Sequence, residues 1–161
     1  MRKKTAFILS VVTGGIGFFA GMSIVLSKEI KKRLEVKELA DKHLVLVQLL
    51  DKWLAEKQRG KQLEDYFHQN GIKNIAIYGM GYVGERLYEE LSNSDITVEY
   101  LIDKNAGNIN TDMKIFTPDE ELPKVDAVIV TPVTFFDEIE EMLAGKIACS
   151  VISIEDILYE L

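Results

Sequence analysis

The stretch Ile75-Ala76-Ile77-Tyr78-Gly79-Met80-Gly81-Tyr82-Val83-Gly84 decides the fold of this chain. An apolar run of strand length enters G-x-G-x-x-G. The residues that follow, with Leu87, Tyr88 and Leu91 on one face, have helical spacing. A glycine turn between strand and helix aims backbone N–H groups and the positive end of a helix dipole at one point, a geometry suited to phosphate. In that pattern Gly79 makes the tight turn, Gly81 lets phosphate approach the backbone, and Gly84 lets the helix pack close to the strand. Met80, Tyr82 and Val83 fill the remaining positions of the loop and shape its rim.

Strand and helix patterns alternate from there to residue 161. Further strands are expected over residues 96–102, 114–116, 125–130 and 150–154. Thr117-Pro118-Asp119-Glu120, Thr134-Phe135-Phe136-Asp137 and Ser153-Ile154-Glu155-Asp156 each have a helix-start signature. This alternation predicts an α/β fold, a short doubly wound parallel sheet of about five strands in the order 3-2-1-4-5. Ligands of such sheets bind beyond the carboxyl ends of the strands, where strand order reverses. That point is lined by residues 79–84, by Asp103 and Lys104 after strand two, and by Thr131 and Pro132 after strand four. Asp103 lies 24 residues past Gly79, close to where a carboxylate accepts hydrogen bonds from ribose hydroxyls. An acid there disfavours a 2′-phosphate, and the neighbouring Lys104 softens that preference. The same turn also occurs where only packing requires it, with no ligand.

The charge is divided unevenly. Residues 1–73 carry 14 Lys/Arg against 8 Asp/Glu, and residues 74–161 carry 5 against 18, giving +6 and −13 for the total of −7. A domain that acidic is a poor nucleic-acid binder, because such binding rests on cationic contacts to phosphates. Cys149 is the sole cysteine, which excludes an intrachain disulfide and cysteine-based zinc clusters. His43 and His68 precede the domain, far in sequence from any partner for a relay or a metal site. Asp137, Glu138, Glu140 and Glu141 read as a solvated helix face.

Upstream, residues 5–27 contain no charged side chain and follow Arg2-Lys3-Lys4, long enough for a helix to cross a hydrocarbon core. Basic residues after the run outnumber those before it. An uncleaved single-pass anchor in contact with membrane lipid is therefore expected, with the C-terminal domain cytoplasmic. A cleaved signal peptide is the competing reading. From residue 28 to about 70, Gly60 is the only glycine and there is no proline. Val36, Ala40, Val47, Leu50 and Leu54 fall at helical spacing, with His43 in one apolar slot, so a long amphipathic helix is expected. The apolar face over residues 30–54 calls for cover by a second copy, a partner enzyme or the chain's own domain. The expected organisation is an anchor over 1–27, a helical linker over 28–73 and a nucleotide-binding domain over 74–161.

Residues 74–103 resemble the first strand–glycine turn–helix–strand unit of NAD(P)-binding Rossmann proteins. The wider stretch, with Ile102-Asp103-Lys104-Asn105 and Val130-Thr131-Pro132, is similar to small Rossmann domains found with bacterial surface-polysaccharide genes. Those are described as sugar-nucleotide epimerase-like or as nucleotide-binding domains of sugar acyltransferases. The resemblance implies a bound NAD or nucleotide-sugar. It does not extend to catalysis, since the only Tyr-x-x-x-Lys runs from Tyr100 to Lys104 on a strand and its loop. The histidine often carried in the acyltransferase turn is also replaced by Tyr82-Val83. The expected function is a membrane-anchored nucleotide-binding module, accessory to polysaccharide assembly and without a complete catalytic set. The alternatives are an NAD-dependent epimerase or oxidoreductase completed by a partner or second copy, and a structural adaptor whose site is vestigial.

Overall fold

The computed structural model describes residues 2–161, with side chains from Ser27 onward except Asn108. The chain forms two compact units, Met1–Leu44 and Val45–Leu161. A single helix, α1 (Arg2–Gln58), supplies the described part of the first unit and opens the second. In the first unit Arg33–Glu29 (3.3 Å) and Lys42–Glu38 (2.7 Å) pair one turn apart across solvent. Such exposed pairs add only tenths of a kcal/mol.

The expected membrane anchor and cytoplasmic placement are corrected here. Among the described residues, no helix is long and apolar enough to cross a membrane. From Ser27 to Lys42, α1 carries charge in every turn, including Lys28, Glu29, Lys31, Lys32, Arg33, Glu35, Lys37 and Glu38. Each such side chain costs about 2.5–3.5 kcal/mol at the centre of a bilayer. The side chains of residues 5–26, on which the expectation rested, lie outside the described residues.

The second unit is built on one all-parallel sheet. Its strands are β1 (Asn74–Tyr78), β2 (Thr97–Ile102), β3 (Ile115–Phe116), β4 (Ala127–Val130) and β5 (Ser150–Ser153). They lie in the order β3-β2-β1-β4-β5, the order expected from the alternation. Register runs Tyr78↔Ile102 on one side of β1 and Tyr78↔Val130 on the other, so the three carboxyl ends finish level. β1 and β4 are apolar on both faces because both faces are covered.

Alternate strand residues divide the core in two. Ile75, Ile77, Leu101, Ala127 and Ile129 pack under α2 (Leu63–Gln69), α3 (Tyr82–Leu91), α5 (Ile154–Glu160) and the end of α1, through Leu49, Trp53, Phe67, Leu87 and Ile157. Ala76, Tyr78, Tyr100, Ile102, Val128 and Val130 pack under Ile139 and Leu143 of α4 (Phe136–Leu143). Leu122 and Val125, in the connection from β3 to β4, cover the rest of that second face.

Two helix-start signatures behave differently from expectation. At Thr117 only half of the box forms: Thr117 N–H (2.6 Å) and Oγ1 (2.9 Å) donate to Glu120 Oε2, Glu120 N–H donates to the Thr117 carbonyl oxygen (3.2 Å), and no helix follows. Pro123 stands three residues on, and 121–124 offer no apolar periodicity. At Thr134 a short 3₁₀ turn, Val133–Phe135, intervenes, so α4 starts at Phe136 without a side-chain cap. Ser153 does cap α5, accepting from Glu155 N–H (3.2 Å). The helix α2 ends on Asn70-Gly71 with Gly71 in the left-handed region.

Asp126 closes the amino end of β1. Its Oδ2 accepts from the N–H groups of Asn74 (2.7 Å) and Lys73 (3.0 Å), which hold its carboxyl below the ordinary 3.8. Such a carboxylate adds stability above its unfolded-state pKa and loses it as pH falls through the lower, folded value. Urea midpoints are therefore expected to be level from neutrality to about pH 5 and to fall below about pH 4. Asp126→Asn should show a shallower acid limb. An identical limb in the variant would mean that Asp126 carries none of the pH dependence.

Candidate functional site

The carboxyl edge of the sheet gathers the chemistry. β1 ends in Tyr78, and Gly79 turns the chain at φ 90°, where a side chain would be strained and would also meet Pro132 Cδ at 2.9 Å. Gly79 N–H donates to Ile102 O (2.8 Å). Thr131 is buried against the turn, its hydroxyl donating to Gly79 O at 2.7 Å with Tyr78 O at 3.1 Å. Asp103 braces the other side. Its Oδ2 accepts from Met80 N–H (3.0 Å) and its Oδ1 from Asn105 N–H (2.7 Å). The turn is thus tied to the ends of β2 and β4 before any ligand arrives.

The two remaining glycines have different reasons for being there. A methyl on Gly84 would overlap the Gly79 carbonyl oxygen, so α3 lies against the turn only because position 84 has no side chain. Gly81 is the residue just before α3, at φ −81° and ψ −166°, an extended conformation open to any residue. A Cβ there would meet no atom within 4 Å. The fold asks nothing of Gly81. The first helical hydrogen bond of α3 is Glu85 N–H to Gly81 O (2.9 Å), and no side chain caps the helix. The N–H groups of Tyr82, Val83 and Gly84 consequently open the helix without a protein acceptor among the described residues.

The ten residues expected at the site do not all meet. Gly79, Asp103, Lys104 and Pro132 line a cleft of about 290 Å³ at the ends of β1, β2 and β4. Thr131 lies behind it, bonded to the turn. Val83 is buried in the first core and Met80 packs half-buried on it, while Tyr82 is exposed to solvent. Gly81 and Gly84 belong to the amide end of α3 rather than to the cleft wall.

Residues not expected from the sequence complete the cleft: Asn105 after β2, Phe135 after β4, and Glu138, Ile139 and Met142 on α4. Tyr78 also lines it. Its hydroxyl is the buried side-chain oxygen without a hydrogen-bond partner among the described residues. In the sequence Tyr78 reads as one more apolar strand residue; a phenol abutting the glycine turn was the signal available. Among the described residues no group of His, Cys, Asp and Glu is arranged to hold a metal ion.

The fold and this edge define the class: an α/β domain with a five-stranded parallel sheet whose central strand runs into a glycine turn and an uncapped helix. The chain belongs to the C2185-like family, whose N-terminal domain model matches residues 71–152, just over half of the 161. The match runs from the turn before β1 into β5 and takes in the whole cleft. No curated protein and no solved structure matches the chain.

Proposed function

We propose that residues 74–161 are a Rossmann-like, doubly wound nucleotide-binding module that takes an NAD-type nucleotide or a nucleotide-sugar. In this reading the phosphates sit on the free amides that open α3. The ribose and what it carries reach into the cleft beside Asp103, whose oxygens each keep a lone pair after bonding Met80 and Asn105. The observation that carries the reading is Gly81. Its missing side chain serves no contact within the protein, and it clears the approach to the bare amides. Service to a partner enzyme of surface-polysaccharide assembly is proposed from the resemblance of residues 74–161 described above. The exposed Val36 and Leu39, on one side of α1, offer apolar contacts for that partner or for a second copy.

Thermal shifts of the full chain with NAD, NADP, UDP-sugars and coenzyme A test this. A ligand at a hundred times its Kd adds about 2.7 kcal/mol. Gly81→Val should leave the unliganded melting point nearly unchanged, because a Cβ there meets no atom within 4 Å and the backbone is extended, and should abolish the ligand shift. A shift that survives in Gly81→Val would move the ligand off the turn.

One observation favours a second reading, a structural domain with no ligand. Asp103 and Thr131 already spend hydrogen bonds on bracing the turn. No shift from any of the four ligands would leave that reading in place.

A further inference from the structure

We propose that α1 pairs antiparallel with α1 of a second copy, the seam of each helix running from Val36 to Leu54. This association is independent of what the cleft binds. Val36, Ala40, His43, Val47, Leu50 and Leu54 follow one another at spacings of four, three, four, three and four. On a helix that alternation keeps all six on one side, as a two-helix seam requires. Leu50 is half-buried and the other five are exposed, with Val36, Val47 and Leu54 each more than half exposed. An apolar stripe in this register is thus left uncovered by its own chain.

Charge selects a second copy as the occupant and sets its direction. Residues 1–44, the first unit, carry 9 Lys/Arg against 4 Asp/Glu, and residues 45–161, the second, carry 10 against 22. The units are therefore +5 and −12. Parallel helices would set each unit on its like-charged copy. Antiparallel helices set the first-unit part of each seam on the second-unit part of the other, so opposite charges meet. Val36 then lies opposite the second copy's Leu54, Ala40 opposite its Leu50, and His43 opposite its Val47. The flanks agree. Lys37 comes beside the second copy's Asp51, both exposed, and symmetry makes the pair twice. A parallel seam would instead put Lys32 beside Lys37. Leu39, 55% exposed, falls on a groove of about 580 Å³ in the second copy, walled by Leu50, Trp53 and Leu54 of α1 and by Arg86 and Glu89 of α3.

Sedimentation equilibrium of the full chain should show a dimer that Val47→Asp converts to monomer. Val47 is 61% exposed, so the variant should keep the wild-type circular dichroism, which separates lost association from lost folding. Lys37→Glu and Asp51→Lys should each weaken association about tenfold, and the double variant should recover to within about threefold. Lys37→Glu would tighten a parallel dimer by relieving its contact with Lys32, and that result would overturn the assignment. Cross-linking checks the direction independently. In a Cys149→Ser background, oxidation should link two chains only where Val36→Cys and Leu54→Cys are combined. Those positions lie about 27 Å apart along one helix, too far to pair within a chain. Linkage through either cysteine alone would reveal parallel helices. A monomer at all concentrations, or a dimer that survives Val47→Asp, would equally overturn the seam and leave the face to a different partner.

Discussion

Gly84→Ala is expected to destabilise the domain by about 3 kcal/mol, the upper end of what overpacking costs, and to lower its melting temperature by roughly 10 °C. Helix propensity argues the other way, since alanine in place of glycine inside a helix gains about 1 kcal/mol. Sterics win because the added methyl would overlap the backbone oxygen of Gly79, which has no rotamer to escape into. Gly79 is itself held by its bonds to Ile102 and Thr131, so relief requires α3 to lift from β1. That movement also displaces the amides that open α3, and ligand shifts should vanish with the stability. Guanidinium unfolding checks the stability, and a variant within 1 kcal/mol of wild type would show that α3 is not seated as closely as described.

The second large effect lies away from the cleft. Glu90 on α3 accepts from Trp53 Nε1 (2.8 Å) and from Leu63 N–H (2.9 Å), and pairs with Lys57 (3.1 Å). One carboxylate thus joins the end of α1, the start of α2 and α3. Glu90→Ala leaves an indole N–H and a helix-start amide without their acceptor in a partly buried place. The expected loss is about 3 kcal/mol, from two hydrogen bonds to a charged group. Glu90→Gln keeps one acceptor oxygen and should cost about half as much. Trp53 is the sole tryptophan, so its emission should shift to the red as the helices separate. An alanine variant with wild-type emission and stability would show that α1 is held by Leu49 and Trp53 packing alone.

The order of the sheet was legible because its cues are local. A run of apolar residues, a glycine turn and a helical stripe recur within short windows, and the parallel order follows from their alternation. Gly79 and Gly84 were legible for the same reason, their roles being set by neighbours in the motif. What escaped depends on contacts distant in sequence. Asp103 reads as a free ribose acceptor until its bonds to Met80 and Asn105 are seen. Glu90 looks like an ordinary charged helix residue, yet its partners lie 37 and 27 positions away. The box at Thr117 shows the opposite error. The Glu120 half of the box forms, but a helix also needs an apolar face to bury, and the residues up to Pro123 supply none. The anchor expectation is corrected on a different ground, that among the described residues no helix is long and apolar enough to cross a membrane.

The all-parallel sheet also governs how this domain can fold. No two of its strands can pair through a tight hairpin, and the central strand sits between partners far apart along the chain, as in Ile75↔Val98 and Ile75↔Ala127. Chain closure must be completed over both intervals before the middle strand has neighbours on its two edges. A topology so dominated by distant pairings belongs to the slower class of small domains, reaching its native state in milliseconds or longer rather than microseconds. The unit from β1 through α3 to β2 requires the shorter closure, so its assembly is expected to precede the docking of β4. The glycine turn lies inside that unit, so on this expectation the pocket edge is shaped before the second face of the sheet is covered.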